Sequence, residues 1–136
     1  MESKIFLDAN IIIDLISSKR LNHTLALQTI EKIIQKDYQI YMSENILTIV
    51  YYIVKDKQSV LKFFKEAVKD WQVVPFGKDV LNSGIDFSIA NNTDLEDTLQ
   101  CFCAKENRCD IFLTNDRKFI DCGIKILDYD EFLGLK

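Results

Sequence analysis

Carboxylates recur in this chain where a buried strand gives way to a helix, and acids in such places hold divalent cations. In "KIFLDANIIID", Asp8 follows three large apolar residues, and Asn10 stands two further on. Glu44 lies just after the apolar run Tyr38 to Met42. Asp94, Glu96 and Asp97 crowd the start of "TDLEDTLQCFCA", while Thr114, Asn115 and Asp116 close "IFLTND". Close unpaired carboxylates repel one another and raise their pKa values, which a bound cation relieves. Oxygen ligands suit Mg²⁺ or Mn²⁺.

Ordinary structural roles compete for several of these acids. Thr93-Asp94-Leu95-Glu96 has the form of a capping box, and Asp94 and Glu44 suit the positive end of a helix dipole. Asp14, one helical turn after Asn10, fits a role in orienting local structure. Asp97 is harder to assign to packing. It shares a helix face with Cys101 and Ala104, whereas Leu95, Leu99 and Phe102 line the opposite face. Asp8, at the end of an apolar run, is equally hard to treat as filler.

The elements that must position these residues follow from periodicity. Strands are predicted at Lys4–Leu7, Tyr38–Met42, Trp71–Phe76, Asp110–Thr114 and Ile124–Leu127. Between them the spacing predicts helices over Asn10–Ser17, Thr24–Lys36, from a Ser43 cap to Lys55, Gln58–Lys69 with Leu61, Phe64 and Val68 on one side and lysines on the other, Asp79–Ala90, and from the Thr93 box to Asn107. Short strands alternating with helices imply an α/β fold, a mostly parallel sheet of about five strands covered on both faces. Strand C-termini then gather along one rim, where open α/β sheets bind ligands.

Composition sets the outer bounds. The 136 residues suit one domain, 1–136, with 48% hydrophobic and 28% charged residues, a globular balance. A net charge of −4 excludes a global basic field for nucleic acid or anionic membrane. The 4 cysteines form no C-x-x-C pair, and His23 is the lone histidine. They read as small reduced core residues of a cytoplasmic protein. No stretch reads as a signal peptide or membrane span. Lysines 55, 57, 62, 65 and 69 read as a solvated helix face; Arg117 and Lys118, beside the last acidic motif, are better placed for phosphate contacts.

Other acid-using α/β folds fit poorly. A haloacid-dehalogenase-like site needs a second Asp where Asn10 stands, and a phosphate-accepting receiver needs an Asp after its third strand, where Val74-Pro75-Phe76-Gly77 runs. Neither a P-loop nor a G-x-G-x-x-G is present. The chain instead closely resembles the PIN-domain ribonucleases, the family of VapC-type toxins of bacterial toxin–antitoxin pairs, over nearly its whole length. "FLDANIIIDL" resembles the opening motif, "TDLEDTLQCFCA" the third and "DIFLTNDRKF" the fourth. The resemblance implies a PIN-like three-layer α/β/α sandwich and a metal-dependent endoribonuclease. It assigns Asp8, Asp97 and Asp116 to one or two Mg²⁺ or Mn²⁺ ions, with Asn10, Thr114 and Asn115 behind them. It further implies an RNA substrate, a small antitoxin partner and compatibility with a homodimer.

One motif departs. "YMSENILTIVYYIVK" resembles the second motif, but Ile49 stands where the family usually carries glutamate. Glu44 lies about 140° away around the helix; Asn45, one turn before Ile49, shares its face and could contribute an amide oxygen. The departure leaves open the number of metals bound. It also leaves a second reading, a PIN scaffold with impaired chemistry that binds RNA or protein.

Overall fold

The computed structural model describes residues 3–116 and 119–136. β1 (Lys4–Leu7), β2 (Gln39–Ser43), β3 (Gln72–Val74), β4 (Ile111–Leu113) and β5 (Lys125–Leu127) form one sheet in the order β3-β2-β1-β4-β5, parallel throughout. The chain enters at the centre, steps outward through β2 and β3, then crosses to the other side of β1. The reversal of direction falls between β1 and β4, where such sheets open a crevice at their C-terminal ends.

Ile5, Phe6, Leu7, Phe112 and Leu113 are fully buried, so β1 and β4 form the middle of the sandwich. Strands covered on both faces are apolar throughout rather than alternating, which explains the unbroken runs in the sequence. The Phe6 and Phe112 rings stack at 5.2 Å. The helices are α1 (Ala9–Ile16), α2 (His23–Gln35), α3 (Glu44–Ile53), α4 (Lys57–Asp70), α5 (Gly77–Asn91), α6 (Leu95–Glu106) and α7 (Tyr129–Leu133). α1 packs on α2, α3 and α4, and α2 on α7; α5 and α6 pack on each other, with α6 against β2. No helix among the described residues is long and apolar enough to cross a membrane.

Ser43 caps α3 as its sequence predicts, accepting from the Ile46 amide at 3.3 Å. Four other expectations need correction. The cap of α6 is Asp94, whose side chain accepts from the Asp97 amide at 3.0 Å. The hydroxyl of Thr93 instead lies 2.7 Å from that of Thr98. A carboxylate accepts from the N3 amide as readily as a hydroxyl does, so the start shifts by one residue and the box fails. On α4, Val60, Phe64 and Ala67 are buried, while Leu61 and Val68 are exposed. Lys57 is not a free surface cation: its ammonium donates to the Val54 carbonyl at 2.7 Å and to that of Tyr51, closing the end of α3.

The fourth correction concerns the cysteines. Cys103 and Cys109 are free and buried, as expected, but Cys101 and Cys122 form a disulfide. They lie 21 residues apart, and only the folding of the β4–β5 connection against α6 brings their Cα atoms to 6.2 Å. That proximity is set by topology, and no local spacing reports it.

Candidate metal and phosphodiester site

Register builds the centre of the site. Leu7 pairs with Leu113, so the residues after them, Asp8 and Thr114, emerge side by side at the rim. The Asp8 amide continues the ladder to the Leu113 carbonyl at 3.1 Å, and that of Thr114 continues to Leu127 at 2.9 Å. Asp8 is 9% exposed. One carboxylate oxygen caps α1 through the Ala9 amide at 2.8 Å; the other accepts from the Thr114 hydroxyl at 2.8 Å. Burial raises its pKa, those two hydrogen bonds oppose the rise, and the charge of Asp116 adds to it.

The Thr114 hydroxyl also accepts from the Asp116 amide at 3.1 Å, so one side chain ties β1 to the turn that carries Asp116. Asp97 enters from α6 and is half-buried. Its pKa is pushed up to about 6, first by burial, then by the charges of Asp94, Asp8, Asp116 and Glu96. Glu96 is raised too, by burial and then by Asp94 and Asp8. Acids from β1, α6 and the end of β4 therefore share one field, as the sequence leads one to expect.

Among the described residues no group of three acids, thiols or imidazoles is gathered into a ready-made cage. The donor set nonetheless fits a hard divalent cation: carboxylate oxygens alone, with burial and neighbouring negative charge opposing the ionisation of Asp8 and Asp97. Asp94 is the helix cap and contributes charge to this field. Glu44 heads α3, exposed, and is not among the charges acting on Asp8 or Asp97. Asn45 is half-buried, and Ile49 packs against the core. Arg117 and Lys118 lie outside the described residues.

A second network borders the acids and was not legible in the sequence. Asp14, 3% exposed, accepts from the Tyr129 hydroxyl at 2.8 Å and from Arg20 Nε at 3.0 Å. Arg20 Nη2 reaches Asn10 Oδ1 at 3.5 Å. Burial and the Asp14 carboxylate drive the Tyr129 pKa upward, and Asn115, beside the hydroxyl, opposes them. Asn10 and Asn115, expected behind the metal ligands, thus face this network. Its members come from α1, the α1–α2 turn and α7, with no spacing that a periodic pattern could register.

The PIN domain matches residues 5–125. The chain belongs to the PIN-domain family. It is 35% identical over 133 residues to Ribonuclease VapC1 of Aquifex aeolicus, covering 95% of this chain and 92% of that protein. Its fold is also that of VapC20 from Mycobacterium tuberculosis, a toxin that cleaves the sarcin–ricin loop (TM-score 0.71, 11% identity, 88% of this chain and 95% of that one). A toxin–antitoxin complex from Klebsiella pneumoniae aligns with a TM-score of 0.72 at 17% identity, covering 92% and 97%. The α/β/α sandwich expected from the sequence is the one these structures share.

Proposed function

We propose that this chain is a metal-dependent endoribonuclease, the toxin of a type II toxin–antitoxin pair, and that Asp8, Asp97 and Asp116 are its metal ligands. The observation that carries the reading is the mutual field of these three acids, brought from separate elements to the rim at the sheet's reversal point. Kinship with a curated VapC ribonuclease supports the RNA substrate. When bound, Mg²⁺ or Mn²⁺ lowers the pKa of a coordinated water and neutralises charge on the phosphate.

The chain's own residues do the rest. Asp8 is held in one rotamer by the Ala9 amide and the Thr114 hydroxyl. Thr114 keeps Asp116 in register with it. Asp97 projects from a helix start whose amides favour negative charge. Burial of Asp8 excludes competing water, which strengthens each electrostatic contact in the crevice.

The protein partner is proposed to be a small antitoxin, seated in the exposed apolar groove of about 690 Å³ between α3 and α4, where Tyr52 is 84%, Val68 52% and Leu61 49% exposed. Exposed apolar patches of this kind mark interaction surfaces. Ile49, half-buried against the core where the second motif usually supplies an acid, favours the alternative of a scaffold with impaired chemistry.

Incubation of the chain with total cellular RNA in Mg²⁺, Mn²⁺ or EDTA, beside Asp8→Asn and Asp97→Asn, separates the two. Discrete cleavage that needs metal and vanishes in both variants is expected. Intact RNA in every lane, from folded protein free of any partner, transfers the reading to the scaffold.

A further inference from the structure

We infer that Arg20, with the basic recess it borders, is a phosphate-binding site that holds the RNA strand beside the acid cluster. This rests on the ribonuclease reading above.

A guanidinium required only to neutralise Asp14 would dock with both nitrogens of one edge, the geometry that makes Arg–carboxylate pairs strong. In the structure only Nε is hydrogen-bonded to Asp14, and Nη2 is turned toward Asn10 on the first acidic motif. Nη1 has no hydrogen bond to the described residues, and the side chain is 41% exposed. The fork edge formed by the two Nη groups is the one that matches two phosphate oxygens. It is held by a partner that cannot easily move, since Asp14 is buried and fixed from its other oxygen by Tyr129, itself 2% exposed.

The surroundings supply more of the same charge. Beyond Arg20 lies a recess of about 460 Å³ between the α1–α2 turn and the start of α4, bordered by Lys19, Lys55, Ser17 and Ser59 and also by apolar residues such as Ile16 and Val54. Asp56, the acid on that border, is engaged in capping α4: its carboxylate accepts from the Ser59 amide at 3.1 Å and the Ser59 hydroxyl at 2.7 Å. Lys19, Arg20 and Lys55 against the carboxylates of Asp14 and Asp56 leave one net positive charge here, in a chain of net charge −4, and Arg20 links it to the first acidic motif through Asn10. A polyanion kept off the acids by repulsion needs such a foothold. The ligand class is the phosphodiester backbone of single-stranded RNA.

The test is equilibrium binding of a labelled single-stranded RNA oligonucleotide to the full chain in EDTA, across a KCl series. Wild type is compared with Arg20→Gln, Arg20→Lys and the pair Lys19→Gln with Lys55→Gln, each checked by thermal melting. Arg20→Gln should weaken binding about tenfold and make the salt slope shallower by about one. Arg20→Lys should keep the slope but not the full affinity. The lysine pair, which leaves Asp14 untouched, should also lower the slope and keeps the proposal testable if Arg20→Gln unfolds. Unchanged affinity and slope in Arg20→Gln and in the lysine pair, from a chain that binds and cleaves RNA, would mark Arg20 as a counter-ion and overturn the inference alone. Absence of both binding and cleavage in wild type overturns the ribonuclease reading as well.

Discussion

The hydroxyl of Thr114 donates to Asp8 and accepts from the amide of Asp116, so two proposed ligands share one oxygen. Thr114→Val keeps the shape of the side chain and removes both hydrogen bonds. We expect metal affinity and cleavage to fall about 10- to 100-fold, the usual cost of losing a group that orients a ligand, with little change in far-ultraviolet circular dichroism. Retained metal affinity in a folded Thr114→Val protein would show that Asp8 is oriented by packing alone. Asp97 offers a second handle. Its pKa of about 6 reflects burial first and the Asp94 charge next, so cleavage at limiting metal should decline as pH falls through 6 and Asp97 takes up a proton. Asp94→Asn keeps an N-cap of equal quality while removing that charge. The acid limb of the pH–rate profile should therefore move to lower pH. A limb that stays in place would assign it to another group.

At the scale of elements, α6 carries Asp97 at its start and Cys101 one turn later, and the Cys101–Cys122 disulfide fastens that helix to the β4–β5 connection. Cross-linking a loop of this length restricts the unfolded chain and is worth about 2–4 kcal/mol. Reduction, or Cys122→Ser, should lower the melting midpoint accordingly, and non-reducing mass analysis of the native protein should find two hydrogens missing. A melting midpoint indifferent to a thiol reductant would remove the bridge from the fold's stability. The strands were legible because each is a short apolar run with turn-forming neighbours, and α2 and α4 because they are long enough to show a helical period. α7 is not legible: five residues make barely more than one turn, and no periodicity accumulates. The structure instead fixes it by tertiary contacts, its last carbonyls accepting from the Lys32 ammonium, Phe132 at 2.9 Å and Leu133 at 3.1 Å. The acids could be named from sequence because strand ends in a parallel sheet share a rim. Arg20 and Tyr129 could not, because what joins them to Asp14 is a fold-level meeting of α1, a turn and α7.

For the whole molecule, the cluster of acids trades stability against readiness to bind a cation. Asp8, Glu96 and Asp97 all have folded-state pKa values above their ordinary ones. For such groups the folded chain binds more protons than the unfolded chain in the window between the two values, so stability falls as pH rises through it. For Asp97 that window runs from its ordinary value of 3.8 to about 6. The metal-free protein should therefore melt at a lower temperature at pH 7.5 than near pH 5. A divalent cation that binds only the folded, ionised cluster reverses this, adding about 2.7 kcal/mol at a hundredfold excess over its dissociation constant. Melting curves with and without Mn²⁺ at both pH values read the linkage directly. The expected pattern is a rise of several degrees with metal at pH 7.5 and a much smaller rise at pH 5. Asp97→Asn should be more stable than wild type without metal at pH 7.5 and should gain little from Mn²⁺. If instead wild type and Asp97→Asn respond identically to metal, the cation binds elsewhere. The field among these acids would then reflect crowding at the rim rather than a site built for a cation.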